Sequence, residues 1–211
     1  MVATPTGGIL TVMAHPDDAE LWAGGTLAVH AATGVPVTIA VPGLNPTRRR
    51  EAVAGARILG ATPHLLDAIT VDTVRELLVG VQPDVVMTHS PDDIHPDHQH
   101  AAQTLLTALP DVVISTGRPR AVYTCDSYHN LNRHGHPLHL PTIIDITSAW
   151  RTKTTALAVH QSQPITEHFG PMAVTLARLH GGRAGVRYAE AFAPVPVLGR
   201  LPITPLAQKG I

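Results

Sequence analysis

Apolar runs of strand length alternate along the chain with stretches whose apolar residues recur at helical spacing. Residues 8–14 form a continuous apolar run between turn formers and His15-Pro16, the pattern of a strand buried on both faces. Residues 19–32 place Leu21, Leu27 and Ala28 on one face and end at Thr33-Gly34, which predicts a helix. The alternation continues with strands over 35–41, 63–66 and 84–88 and helices over 47–59, 69–81 and 98–109. Further strands are expected over 112–115, 121–125 and 142–146, and helices over 148–160 and 171–180. Residues 188–192 carry no clear type, and 117–141, rich in His, Pro, Asn and Arg, reads as a long functional loop holding one strand. Strands and helices in this order predict a Rossmann-like α/β fold, a mostly parallel sheet with helices on both faces.

In such a sheet the ligand crevice lies at the carboxyl ends of the strands where strand order reverses, commonly between the first and fourth. Both of those strands run into acidic, His-rich segments: His15-Pro16-Asp17-Asp18 after the first, and His89 to His98 after the fourth. No Gly-x-Gly-x-x-Gly follows the first strand, so a dinucleotide is not expected. Nor is there a Gly-x-Ser-x-Gly elbow to support a serine hydrolase.

Composition narrows the chemistry. The chain has 211 residues, 44% hydrophobic and 15% charged, which suits one domain spanning 1–211. A net charge of -1 gives no electrostatic reason to expect nucleic acid or an anionic membrane as partner. Cys125 is the single cysteine, so neither a disulfide framework nor a thiolate zinc site is available. The start of the chain has no basic cluster followed by an apolar core, and no apolar run reaches membrane-span length; a cytoplasmic protein is expected. Against two lysines, Lys153 and Lys209, stand 14 histidines. Imidazole is the commonest metal ligand and a frequent acid or base.

His15 and Asp18 are three residues apart, as are His95 and His98, and each set carries a Pro-Asp pair at an expected helix start. Nitrogen and carboxylate donors without sulfur suit zinc or another first-row divalent ion. Isolated His30, His64, His168 and His180 read as surface or helix-end side chains, and His89 and His100 lie beside the second set without its spacing. His129, His134, His136 and His139 read as loop residues, His160 as either support for the site or a helix cap, Trp22 as packing, and Cys125 as a small buried hydrophobe.

Ala14-His15-Pro16-Asp17-Asp18-Ala19-Glu20, Gly24-Gly25-Thr26-Leu27-Ala28 and His95-Pro96-Asp97-His98 together resemble the LmbE/PIG-L family of zinc-dependent N-acetylglucosaminyl deacetylases. Arg48-x-x-Glu51, His160-Gln161-Ser162-Gln163 and Tyr188-Ala189-Glu190-Ala191-Phe192 extend the likeness over most of the chain. The resemblance implies an LmbE-like fold with His15, Asp18 and His98 as ligands of Zn2+ or Fe2+. It implies Asp17 as general base on the activated water, His95 as a protonated stabiliser of the oxyanion, Asp97 as the residue orienting His95, and Arg48 as a donor to sugar hydroxyls. The implied activity is removal of acetate from an N-acetylglucosamine-type sugar or small glycoconjugate, with oligomeric state open. Related alternatives are an amidase of another N-acyl or thiol-conjugate substrate, and a metal- or carbohydrate-binding module without catalysis. The family can carry a Tyr near the second motif, where this chain has Asp92-Asp93-Ile94. Tyr123, Tyr128 or Tyr188 could replace it from elsewhere.

Overall fold

The computed structural model describes residues 8–202. The start of the chain read for a targeting signal, and Lys209, lie outside them. Five parallel strands form the body of one sheet: β1 (Ile9–Val12), β2 (Val37–Pro42), β3 (Thr62–Leu66), β4 (Val85–Thr88) and β5 (Ala121–Thr124). Two more complete it, β6 (Thr142–Asp145) and β7 (Ala189–Val195), in the order β3-β2-β1-β4-β5-β7-β6. The segment 188–192 that carried no type belongs mostly to β7, which runs antiparallel between β5 and β6. The sheet is thus mostly parallel, as expected.

Alternate residues of each strand serve different cores. Ile9 and Met13 face one side, with α1 (Asp18–Ala32), α2 (Pro46–Ile58), α5 (Trp150–Leu157) and α6 (Gly170–Ala184). Leu10 and Val12 face the other, under α3 (Val71–Val81) and α4 (Pro96–Thr116). Period-two side chains sandwiched between helices explain why β1 and β4 are continuous apolar runs.

The predicted strand over 112–115 does not exist; those residues finish α4, which continues to Gly117 in a left-handed turn, φ 70°. Val112, Val113 and Ile114 look strand-like locally because they are β-branched. Tertiary packing overrides this preference: the buried positions Ala101, Leu105, Ala108, Leu109 and Val112 keep helical spacing, while Ile114 is 73% exposed.

Strand order reverses between β1 and β4, so the loops after both open into one crevice. One feature holds α1 in place there. Lys153 Nζ donates to the Leu21 carbonyl at 2.7 Å and to Glu190 Oε1 at 2.5 Å, while Glu190 accepts the N–H groups of Gly25 and Thr26 at 2.9 and 2.7 Å. This buried pair ties α1 to α5 and β7. Gly25 is required by the close approach, since a Cβ there would lie 2.6 Å from Ile146 Cδ1.

Candidate metal centre and its cavity

β1 delivers His15, Asp17 and Asp18 to the crevice because the chain turns directly into α1. Asp17 occupies the N-cap position, but its side chain makes no cap hydrogen bond and is free for other work. Asp18 Oδ2 accepts the His15 N–H at 2.7 Å, which folds the loop back on itself. α4 delivers the second set: His95 is its N-cap, Pro96 fits the first turn, and His98 lies one turn in.

The ligand atoms of His15, Asp18 and His98 lie within 4.8 Å of one another. Asp18 is central, with Oδ2 3.3 Å from His15 Nδ1 and Oδ1 3.4 Å from His98 Nε2. His98 is fully buried, and its Nε2 has no hydrogen-bond partner. A buried nitrogen aimed at a carboxylate without a hydrogen bond is what a cation site requires. Two imidazoles and one carboxylate suit Zn2+ or Fe2+ better than Ca2+ or Mg2+.

Electrostatics point the same way. Burial disfavours charge on Asp18, yet His89 and His98 hold its carboxyl well below the usual range. Burial also opposes protonation of His98, but Asp18 and Asp93 on either side push its pKa up to about 10. The site therefore favours positive charge.

Residues that spacing did not single out complete the centre. Asp93, fully buried, brings Oδ2 to 3.2 Å from His98 Nδ1 and accepts the His95 N–H through Oδ1 at 2.8 Å. His89 stacks on His98 with ring centroids 3.8 Å apart, and its Nε2 lies 3.1 Å from the Ala14 N–H and 3.2 Å from Asp18 Oδ2. Trp22 packs in the core as expected, but its indole Nε1 also donates to Asp18 Oδ1 at 3.3 Å. That contact was legible, because residues four apart on a helix share a face.

Two implied partnerships change. The Asp97 carboxylate meets His15 Nε2 at 3.1 Å and lies within 4.8 Å of a ring nitrogen of His95, and the hydrogen bond to His95 Nδ1 comes from the Asp97 backbone N–H, at 3.2 Å. Arg48, buried in the first turn of α2, donates through Nη2 to Asp17 Oδ1 at 2.5 Å. Its Nη1 is buried without a partner. The guanidinium charge is thus committed to Asp17, with the Nη1 amino group left for another acceptor.

These groups form the inner end of a cavity of about 820 Å³, within the range of small-molecule sites. Of the three tyrosines, Tyr128 lines it; Tyr123 is buried in the sheet and Tyr188 stacks on Trp150. None of the loop histidines His129, His134, His136 and His139 lines the cavity. His30 and His180, read as surface or helix-end residues, are buried, and His180 Nε2 meets Asp126 Oδ2 at 2.6 Å. His160 is buried 3.6 Å from Glu20 Oε1, and neither of its ring nitrogens hydrogen-bonds, so it does not cap a helix. Cys125 is buried, as expected of a small hydrophobe. No helix among the described residues is long and apolar enough to cross a membrane.

Residues 10–109, which contain both motifs, match the family described as PIG-L: GlcNAc-PI de-N-acetylase. A 1D-myo-inositol 2-acetamido-2-deoxy-alpha-D-glucopyranoside deacetylase of Nocardia farcinica is 33% identical over 66% of this chain and 50% of its own length. The chain therefore spans about half of that relative. A diacetylchitobiose deacetylase of Thermococcus kodakarensis is 26% identical, over 89% of this chain and 83% of its own. Among solved structures, a 4-carboxy-2-hydroxymuconate hydratase of Pseudomonas putida KT2440 superposes with a TM-score of 0.74 at 21% identity, covering 97% of this chain and 98% of that one. That likeness concerns the fold, which hosts more than one chemistry.

Proposed function

We propose that this chain, which carries a PIG-L/LmbE family domain, is a single-domain, metal-dependent hydrolase that removes acetate from an N-acetylglucosamine-type sugar or small glycoconjugate. The observation that carries this reading is the convergence of His15, Asp18 and the buried His98 within 4.8 Å, with His15, Asp18 and the Asp17 carboxylate lining the cavity. The names of the deacetylase relatives supply the substrate class.

His15, Asp18 and His98 would hold zinc or Fe(II), which when bound supplies positive charge to polarise the acetamide carbonyl and acidify a water. Asp17 is not one of the three ligands and is the general base that takes the proton of the attacking water. Arg48 fixes the direction of that carboxylate and keeps Nη1 for a substrate hydroxyl. His95 stabilises the oxyanion through its ring N–H. Partial burial, reinforced by His98 and His15, lowers its pKa. Because Nδ1 accepts the Asp97 N–H, the ring proton sits on Nε2, available for donation. Asp97 serves His95 through its backbone and His15 through its carboxylate. Tyr128, on the cavity wall, is the tyrosine available to contact substrate.

The test combines metal analysis of the purified protein with acetate release from N-acetylglucosamine and its glycosides. Asp17→Asn should retain bound metal and lose nearly all turnover. Wild-type turnover in that variant would refute the role of Asp17, and stoichiometric metal without acetate release from any N-acetyl sugar would refute the deacetylase reading.

A further inference from the structure

Part of the cavity lining differs in chemistry from the His and Asp groups. It comes from the β2–α2 connection, from the segment following α5 and from Tyr128. Leu44, in the connection, is 62% exposed and adopts a left-handed backbone, φ 39°. That conformation is unfavourable for a leucine. It is enforced from both ends. The Gly43 N–H is tied to the Leu66 carbonyl at 2.8 Å, and Asn45 Oδ1 caps α2 by accepting the N–H groups of Thr47 and Arg48. The chain thus keeps an apolar side chain in solvent, in an unfavourable backbone state, at the rim of the site.

Phe169, half-buried at the end of the five-residue π-helical turn Ile165–Phe169, also lines the cavity. Its ring lies 6.3 Å from that of Tyr128, which in turn meets Trp22 edge-on at 5.3 Å. Single π-turns are frequent at functional sites. Arg48, the one basic side chain among the described lining residues apart from His15 and His95, is committed to Asp17. The neighbouring carboxylate of Glu51 is held by the Ser162 N–H and hydroxyl at 2.9 and 2.5 Å, and the exposed Arg50 donates through Nη2 to Thr47 Oγ1 at 3.2 Å. Leu44, Tyr128 and Phe169 thus give the cavity an apolar portion beside these polar groups.

We propose that this apolar portion of the cavity is an aglycone subsite, with Leu44 and Phe169 as its specificity-determining residues, and that it favours N-acetyl sugars carrying an apolar ring on the anomeric oxygen over those carrying a methyl group. This rests on the deacetylase reading of the metal centre. It adds a preference that neither motif encodes.

The test uses the metal-loaded full chain and two glycosides of N-acetylglucosamine, methyl and phenyl. Acetate release should give a kcat/KM for the phenyl glycoside about tenfold above the methyl one, since a half-open apolar site captures part of the value of burying a ring. Leu44→Asn, which tolerates the left-handed backbone, should bring the phenyl-to-methyl ratio close to one, and Phe169→Ala should do the same. A ratio taken within one preparation is independent of how much of a variant folds. A wild-type ratio close to one, or ratios unchanged in both variants, would overturn the proposal. If neither glycoside releases acetate, the deacetylase reading fails separately. The subsite is then decided by calorimetric binding of the same two glycosides: tighter phenyl binding that Leu44→Asn abolishes supports it, and equal binding overturns it.

Discussion

Replacing Asp93 by Asn isolates the contribution of a residue that no motif spacing marks. Asp93 and His98 are both fully buried, with Oδ2 3.2 Å from Nδ1, while Asp93 Oδ1 accepts the His95 N–H at 2.8 Å. The amide oxygen of Asn retains the bond to His95, so the loop before α4 should keep its conformation. The NH2 group then faces His98 Nδ1 and donates to it, which forces the imidazole proton onto Nε2. Nε2 is the atom directed at Asp18, 3.4 Å away, and a protonated Nε2 cannot bind a metal. Loss of such a supporting carboxylate typically lowers metal affinity by about 10–100-fold, or about 1.4–2.7 kcal/mol. Inversion of the tautomer should place this variant at the upper end. Titration of zinc against a chromogenic chelator measures the shift, with circular dichroism as the check that the fold persists. A folded Asp93→Asn protein whose zinc affinity stays within about twofold of wild type, well short of that range, would refute this role for Asp93.

Two further outcomes test the scaffold around the centre. Lys153→Met leaves the Glu190 carboxylate buried without its counter-charge, which should cost about 3–5 kcal/mol in urea unfolding and weaken zinc binding through displacement of α1. Lys153→Met combined with Glu190→Gln should recover much of that loss; a single-variant cost below about 1 kcal/mol would show that the pair does not anchor the helix. His30, buried in α1 with an unpartnered Nε2, has its pKa lowered by burial from 6.5. The unfolded chain therefore binds a proton more readily, so this contribution to stability is present above pH 6.5 and is lost as pH falls from there towards the depressed folded value. Urea midpoints measured across that window should fall less steeply for His30→Leu than for wild type, and parallel curves would contradict the assignment.

What could be read from the chain and what could not divides by the distance over which the information travels. The placement of His15 and Asp18 and the start of α4 at His95-Pro96 follow from local signals: apolar runs, a proline in the first helical turn, and spacings of three. Trp22 belongs to the same class, because its separation of four from Asp18 already sets the indole over the carboxylate. The misread strand over 112–115 shows the local signal failing, for the fate of Val112 was decided by its register with Leu105 and Ala108 rather than by its β-branched neighbours. Asp97 shows adjacency misleading in another way. The Asp97 carboxylate hydrogen-bonds His15, 82 positions away, while its backbone N–H reaches His95 Nδ1. The Asp17–Arg48 pair spans 31 residues and the Ala14–His89 contact 75, and both depend on β2 and β4 flanking β1. The metal-ligand set is therefore local enough to be written in motifs, whereas what orients it is a property of the sheet. By the same logic the aglycone side, built from Leu44, Tyr128 and Phe169 on three separate connections, carries no motif, and substrate preference is able to diverge there while the metal centre stays the same.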